Sequence, residues 1–196
     1  MPKKVDHTER RAAIARALWQ VVDRRGWSAA TMRTVAQEAN VSLGQLQHYF
    51  RTRQDMLTFA MAYASEQSAG RVAHQLERGV KSPRDVLRTA VIELLPLRPQ
   101  SRATSRLNAA FVLEALHDST LRQQASQGLR DGRSHVAELI RTSMAAGLIS
   151  AERDADVETD RVISLTGLAP LIEFDVVTPE AALAVVDRHL DELFTP

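Results

Sequence analysis

The stretch that decides the fold is TMRTVAQEANVSLGQLQHYF, residues 31–50. Thr31 and Ser42 are residue types that cap helix N-termini, and Asn40 tolerates the left-handed backbone of a tight turn. Leu46 and Phe50 stand four residues apart, so they share one face of a helix and can bury it. The pattern predicts two short helices, 32–39 and 43–49, around a turn, which is a helix-turn-helix.

With Leu46 and Phe50 on the buried face, the outward side of the second short helix carries Leu43, Gly44, Gln45, Gln47 and His48. Glutamine and histidine donate to and accept from base edges, and a leucine side chain can contact a thymine methyl group. Glycine permits a close approach of the backbone to a ligand. Because none of the five is acidic, we expect this side to read DNA bases.

Other polar residues of the same segment suit the DNA backbone. The hydroxyl groups of Thr31, Ser42 and Tyr49 can bond phosphate oxygens, and Arg33 and Arg53 supply positive charge. A solvent-facing role is the alternative for Gln47 and His48, and half-burial beside the first helix is the alternative for Tyr49. We therefore expect Thr31, Arg33, Ser42, Tyr49 and Arg53 to complete the DNA-binding set.

The charge distribution favours a polyanionic partner for the N-terminal part. Residues 1–55 hold ten Lys or Arg against five Asp or Glu, whereas residues 56–196 hold 15 against 19. Such asymmetry is typical of nucleic-acid contact, although a solvated basic surface is the alternative. Lys3, Lys4, Arg10 and Arg11 form a basic arm that either follows DNA or has no role in binding.

The rest of the chain also reads as helical, because Ala, Leu, Arg, Glu and Gln dominate and no alternating strand pattern occurs. Caps, glycines and prolines predict further helices over 8–25, 54–78, 83–95, 101–117, 120–146, 157–174 and 179–194. Gly147 is expected to end the helix over 120–146. Pro170 should kink the helix over 157–174 or end it early.

The helix-turn-helix resembles the DNA-binding domain of tetracycline-repressor (TetR) family regulators. The family pattern aligns without a gap on Gly26, Ala30-Thr31, Val35-Ala36, Asn40-Val41-Ser42, Gly44, Leu46, Tyr49-Phe50, Arg51, Arg53 and Leu57. His48-Tyr49-Phe50 is most similar to the betaine-type repressors of the family. Thr34 stands where an acidic residue is common, so we expect no complete capping box at Thr31.

The resemblance implies an all-α protein, with an N-terminal three-helix helix-turn-helix DNA-binding domain followed by a larger helical ligand-binding and dimerisation domain. We place these domains at 1–53 and 54–196. The implied function is a transcriptional regulator, expected to be a repressor released from a palindromic operator by a small molecule. Activation is the open alternative. We expect the helix over 54–78 to transmit the effector signal.

The resemblance also implies an effector pocket among the middle helices. Candidate lining residues are Phe59, Tyr63, Leu95, Phe111, Leu116 and Met144. Ordinary core packing is the alternative role for each of them.

Two C-terminal segments carry apolar residues at alternating spacings of three and four, as in a coiled-coil seam. These seam residues are Val162, Leu165, Ala169, Ile172, Leu183, Val186, Leu190 and Leu193. They can form a two-fold dimer interface or the core of one chain, and the resemblance favours a homodimer.

Other classes of protein find little support in the sequence. The six histidines show no HExxH spacing, and P-loop, GxGxxG and GxSxG motifs are absent, so we expect neither an enzyme nor a cofactor. The absence of cysteine excludes thiolate metal sites, and the acidic residues of 152–160 suit a solvated helix start. No apolar run is long enough for a membrane span. The resemblance implies a cytoplasmic protein. A helical adaptor without DNA recognition is the remaining alternative.

Overall fold

The computed structural model describes residues 7–77, 79 and 82–195; Lys3 and Lys4 of the basic arm lie outside the described residues. Within these ranges the chain forms α-helices joined by turns, with no strand, which confirms the all-α fold class. The helices are α1 His7–Arg25, α2 Met32–Glu38, α3 Leu43–Tyr49, α4 Arg53–Glu77, α5 Pro83–Leu94, α6 Pro99–Ala115, α7 Ser119–Ala145, α8 Ala155–Ser164, α9 Leu168–Glu173 and α10 Pro179–Leu193.

Side-chain caps start several helices where the sequence predicts them. The hydroxyl oxygens of Thr31, Ser42 and Thr178 each accept a hydrogen bond from the backbone N–H three residues further on. At the end of α7, Gly147 adopts a φ of 71°, which a residue without Cβ tolerates at low cost. Local sequence therefore sets these helix boundaries.

The capping box at Thr31 corrects one expectation. The Thr34 hydroxyl oxygen accepts from the Thr31 backbone N–H at 3.0 Å, while the Thr31 hydroxyl oxygen accepts from the Thr34 N–H at 3.1 Å. Thr34 Oγ1 also donates to the carbonyl of Ala29. A hydroxyl group thus replaces the usual carboxylate, because it accepts one bond and donates another.

The segment predicted as one helix over 157–174 is divided differently from the expectation. A 3-10 turn at Leu165–Gly167 separates α8 from α9, and Pro170 lies in the first turn of α9. A proline ring clashes with the carbonyl four residues earlier in a continuous α-helix, and it lacks an N–H donor. The helix therefore breaks before the proline, so that Pro170 lies in the first turn of α9. Backbone N–H groups in a first turn have no intrahelical acceptor, so the N–H that proline lacks costs no hydrogen bond there.

The described chain packs as two compact units. Unit 1 contains the described residues up to Gln67 together with Ala103–Ala125, and unit 2 contains Ser68–Arg102 together with the described residues from Ser126 onward. The predicted domain boundary between 53 and 54 stays a prediction.

The core of unit 1 joins the helix-turn-helix to its supporting helices. Ile14 and Leu18 of α1 pack with Leu46 of α3, Leu57 of α4 and Leu107 of α6, and all five are almost completely buried. Burial of this many large apolar side chains fixes the orientation of the short helices, which would be marginal alone.

The core of unit 2 is formed by α5, α7, α8 and α10. Leu87, Ile140, Val162, Val186 and Leu190 are buried together there. At its edge, Arg88 donates to both carboxylate oxygens of Asp187, at 2.5 and 3.0 Å. The guanidinium group lowers the pKa of Asp187 below its ordinary value, chiefly through this hydrogen bond.

Candidate nucleic-acid interface

The turn between α2 and α3 has the geometry expected of a helix-turn-helix. Asn40 adopts a φ of 52°, in the left-handed region that asparagine tolerates better than most residues. The next backbone N–H, of Val41, donates to the carbonyl of Ala36 at 2.9 Å and so satisfies an otherwise unpaired carbonyl at the end of α2. Ser42 then begins α3 without a further linker.

The inward side of the helix-turn-helix is apolar and buried, as predicted. Val35 and Ala36 of α2, Leu46 of α3 and Phe50 are at most 2% exposed. Phe50 therefore belongs to the core and is unavailable for stacking on bases. Trp27 is half-buried and packs against the same core.

The predicted DNA-binding residues lie on the solvent-accessible side of the helix-turn-helix. Seven of them are exposed: Thr31, Arg33, Ser42, Gly44, Gln45, Gln47 and His48. Leu43, Tyr49 and Arg53 are half-buried. A Cβ atom added at Gly44 would meet no atom of the chain within 4 Å, so this position opens to the outside. The structure thus places the residues predicted to read bases together on one short helix, α3, and their role stays a prediction.

Thr31 and Ser42 have hydrogen bonds to the backbone before any DNA is bound. Each hydroxyl oxygen accepts from a backbone N–H of the helix that it caps. A capping hydroxyl still carries a proton that it can donate to a phosphate oxygen. Ser42 can therefore serve as cap and as backbone contact at once, whereas the Thr31 hydroxyl also lies 2.9 Å from Thr34 Oγ1 and would have to release that contact.

An aromatic cluster that sequence reasoning missed covers the end of α3. The ring of His7, the first residue of α1, lies 4.7 Å from the ring of Tyr49 and 6.2 Å from that of His48. His7 is 42 positions from Tyr49 in the chain, and no local pattern indicates such a pairing. The contact restricts the orientation of Tyr49 at the DNA-binding side.

Arg53 has partners within its own unit. Its Nε donates to the carbonyl of Ala30 at 3.0 Å, and its Nη1 donates to Oε1 of Glu114 at 3.2 Å. Glu114 lies on α6 and is a second residue that sequence reasoning missed. Arg51, by contrast, is exposed.

Arg11 of the basic arm is turned toward the interior of unit 1. Its guanidinium carbon lies 4.9 Å from the ring centroid of Phe50 and 4.2 Å from that of Phe59. Cation–π contacts of this kind hold the guanidinium group over the rings. Arg11 therefore contributes to packing more directly than to a basic surface.

The predicted effector-pocket residues are distributed over separate clusters. Phe59 and Tyr63 pack against the main core of unit 1, and Phe111 belongs to a smaller cluster of that unit. Leu95 and Met144 lie in the core of unit 2. Leu116 is 56% exposed, so it does not line an interior cavity in this structure. Four of the six therefore belong to unit 1 and two to unit 2, and the effector pocket stays a prediction.

The predicted dimer residues lie mostly inside unit 2. Six of the eight are buried there: Val162, Leu165, Ile172, Val186, Leu190 and Leu193. Ala169 and Leu183 are half-buried. The apolar seams therefore face the chain's own core, and a partner would have to meet other faces of these helices.

The part of the chain that the structure describes contains neither a cluster of metal ligands nor a membrane-spanning helix. No three His, Asp or Glu side chains come together there in the manner of a metal site. Asp154 of the acidic stretch instead caps α8, accepting from the backbone N–H groups of Asp156 and Val157. No helix among the described residues combines the length and apolar character needed to cross a membrane.

Comparison with known proteins agrees with this interface. Residues 14–58 match the family described as bacterial regulatory proteins, tetR family, and residues 83–195 match the BetI-type transcriptional repressor, C-terminal. The transcriptional regulator PksA of Bacillus subtilis (strain 168) is 31% identical over 196 residues, which cover 98% of this chain and 94% of PksA.

Solved structures show the same fold. A TetR-family transcriptional regulator from Rhodococcus sp. has a TM-score of 0.83 at 24% identity, covering 96% of this chain and 100% of that one. A transcriptional regulator from Saccharomonospora viridis in complex with choline has a TM-score of 0.77 at 20% identity, covering 94% and 95%.

An exposed helix-turn-helix without acidic groups on its reading helix, followed in the chain by a larger helical domain, defines the class of DNA-binding transcriptional regulators. The chain belongs to the TetR family of that class. Its relatives and its fold are those of regulators and not of enzymes.

Proposed function

We propose that the protein is a homodimeric repressor that binds a palindromic operator and leaves it when a small molecule binds. The observation that carries this proposal is the exposed side of α3, where Gln45, Gln47 and His48 stand beside Leu43 and Gly44. Glutamine and histidine side chains recognise base edges in the major groove, and the leucine can contact a thymine methyl group. The cytoplasm is the compartment in which such a regulator meets its operator.

Backbone contacts hold the recognition helix in register. We assign these contacts to Thr31, Arg33, Ser42 and Tyr49, which lie at the starts of α2 and α3 and at the end of α3. Arg53 is left out of the assignment because Ala30 and Glu114 already occupy two of its nitrogens. Phosphate contacts of this kind orient the protein but carry no sequence information.

Dimer formation is proposed through apolar side chains that one chain leaves exposed near its C-terminus. Phe174 and Val176, which follow α9, are 77% and 69% exposed, and Leu171 of α9 and Val185 of α10 are also exposed. The backbone N–H of Val176 donates to the carbonyl of Leu171 at 2.8 Å, so this segment has a defined conformation. Exposed apolar patches on a soluble protein are typical of protein–protein interfaces.

A two-fold dimer explains why one short helix is sufficient for specific binding. Each copy reads one half-site, and the two half-sites of a palindrome lie about 34–36 Å apart or a multiple of that distance. The dimer can adopt a conformation in which its two recognition helices are separated by a distance that does not match the operator. An effector releases the operator if it binds that conformation more tightly than the operator-bound conformation. We assign effector binding to the helical domain that matches the BetI-type C-terminal family, and α4 to signal transmission.

The test is selection of genomic and random duplex DNA on the purified protein, followed by sequencing. An enriched palindrome with two equivalent half-sites supports a dimeric repressor, and choline, present in the Saccharomonospora viridis structure, is the first effector probe on that DNA. Binding should weaken with salt, with a log–log slope near −5 for about six phosphate contacts. Absence of enrichment at both low and moderate salt would contradict the proposal and favour the adaptor alternative.

A further inference from the structure

One carboxylate on α6 joins the two ends of the helix-turn-helix segment. Oε2 of Glu114 accepts a hydrogen bond from Nε1 of Trp27 at 3.0 Å, and Oε1 accepts from Nη1 of Arg53 at 3.2 Å. Trp27 belongs to the turn that precedes α2, whereas Arg53 is the first residue of α4. All three residues belong to unit 1.

Arg53 makes two more contacts that close this arrangement. Its Nε donates to the carbonyl of Ala30 at 3.0 Å, directly before the cap of α2. Its guanidinium carbon lies 5.3 Å from the ring centroid of Trp27, within the range of a cation–π contact. We call Trp27, Ala30, Arg53 and Glu114 the Glu114 clamp.

Neighbouring residues of α6 hold the same turn. Nη1 of Arg106 lies 2.8 Å from Oδ1 of Asp23, near the end of α1. Phe111 is buried in a small cluster against which Trp27 packs. These contacts hold α6 against the end of α1 and against Trp27, which places Glu114 beside the turn.

The charges in the clamp bear on DNA binding more than on folding. Side chains of Arg53 and Glu114 are 30% and 39% exposed, and such partly exposed ion pairs contribute little to stability. Arg53 and Glu114 instead lie next to the recognition segment, where their charges can affect how much positive charge it presents to DNA. A guanidinium group whose charge is compensated by a carboxylate attracts a phosphate less strongly than a free one, although it keeps unused N–H donors.

We propose that Glu114 is a positioning residue for operator binding, which orients the turn before α2 through Trp27 and withholds the Arg53 guanidinium from the DNA backbone. The proposal rests on the proposed function, since it assumes that this segment reads DNA. It gives α6 an indirect part in DNA specificity, through Trp27 and Arg53, which the sequence of the recognition segment alone does not indicate.

The first test compares Glu114→Gln with Glu66→Gln, which removes the same charge from an exposed residue of the same unit. Freed Arg53 should add about one phosphate contact and make the log–log salt slope steeper by about 0.9. We expect non-specific affinity to rise and the ratio of specific to non-specific affinity to fall, and Glu66→Gln to do neither. Equal slopes and ratios in wild type and Glu114→Gln would overturn the proposal, as would a uniform loss of affinity on all DNA.

The second test replaces Arg53. In the wild-type background Arg53→Ala should leave the salt slope unchanged, and in the Glu114→Gln background it should abolish the steeper slope. A slope that flattens by about 1 in the Arg53→Ala single variant would identify Arg53 as a phosphate contact and refute the withholding role. This test remains decisive if Glu114→Gln does not fold.

A fluorescence measurement tests the clamp without DNA. The chain has two tryptophans, so Trp19→Phe leaves Trp27 as the single indole reporter. Glu114→Gln in this background should increase quenching of Trp27 by acrylamide, because the turn is held less firmly, whereas Glu66→Gln should not. Unchanged quenching would contradict the orienting role, and a wild-type protein that binds no DNA would reject the proposed function separately.

Discussion

Replacing Phe174 with alanine should weaken self-association of the protein by about 40- to 2,000-fold. Full burial of a phenylalanine side chain contributes about 1.5–3 kcal/mol, and 77% of Phe174 is exposed in one chain. The amount still available to a partner is therefore about 1.2–2.3 kcal/mol per copy. A two-fold interface contains the residue twice, which doubles the effect.

Sedimentation equilibrium over a wide concentration range measures this change directly. Leu113→Ala is the matched control, because Leu113 is also a large exposed apolar residue but lies on α6, outside the proposed interface. Circular dichroism should show the same helix content in Phe174→Ala as in wild type, since Phe174 lies outside all three core clusters. Operator affinity should fall together with dimer affinity.

An unchanged dimer dissociation constant in Phe174→Ala would refute the assignment of this face. If Leu113→Ala dissociated the dimer instead, the interface would belong to α6. Leu190→Ala separates the alternatives further: Leu190 is fully buried, so its loss should lower the free energy of unfolding by about 2–5 kcal/mol irrespective of dimer formation.

Gln47→Ala should change base preference at one position of each half-site, by about 1–3 kcal/mol in a binding titration, whereas equal loss on every sequence would remove Gln47 from base recognition. Thr31→Ala should lower the free energy of unfolding by about 1 kcal/mol because the capping hydroxyl is lost, and Thr31→Ser should not, as measured by denaturant unfolding. Protonation of His189 should lower the free energy of unfolding of the protein in acid. Burial lowers its pKa from 6.5, so the unfolded chain takes up the proton first and the free energy of unfolding falls as pH drops below that value. Unfolding titrations at several pH values should show a smaller loss in His189→Asn; an equal loss would assign the acid sensitivity to other groups.

The helix-turn-helix could be predicted in detail because its determinants are local. A cap, a turn residue that tolerates positive φ and two apolar residues four apart act within a few positions of one another. The structure accordingly has Thr31, Asn40 and Ser42 in their predicted roles. The prediction of no capping box was wrong because it considered acidic partners alone, although the Thr34 hydroxyl has the same acceptor capacity.

Contacts between distant parts of the chain were missed because no pattern in one segment specifies them. Glu114 is 61 positions from Arg53 and reads as one more polar residue of an amphipathic helix. The motif around Arg53 resembles a basic flank of a DNA-binding domain, so its side chain was predicted to meet phosphate. A residue type that suits DNA also suits a carboxylate of the same chain. The structure shows the contact with Glu114, and the contact with phosphate stays a prediction that Arg53→Ala tests.

The seams of the C-terminal helices show why periodicity alone does not distinguish a core from an interface. Spacings of three and four establish that one face of a helix is apolar, but they do not identify what covers that face. In the structure Val186 and Leu190 face the chain's own core, while Phe174 and Val176, which belong to no such repeat, remain exposed. An interface residue is recognised because it stays exposed in the folded chain. Its exposure depends on how all other elements of the unit pack, so the local sequence does not reveal it. The proposed dimer contact is therefore the irregular segment between α9 and α10, where a partner would meet apolar surface that the chain leaves exposed.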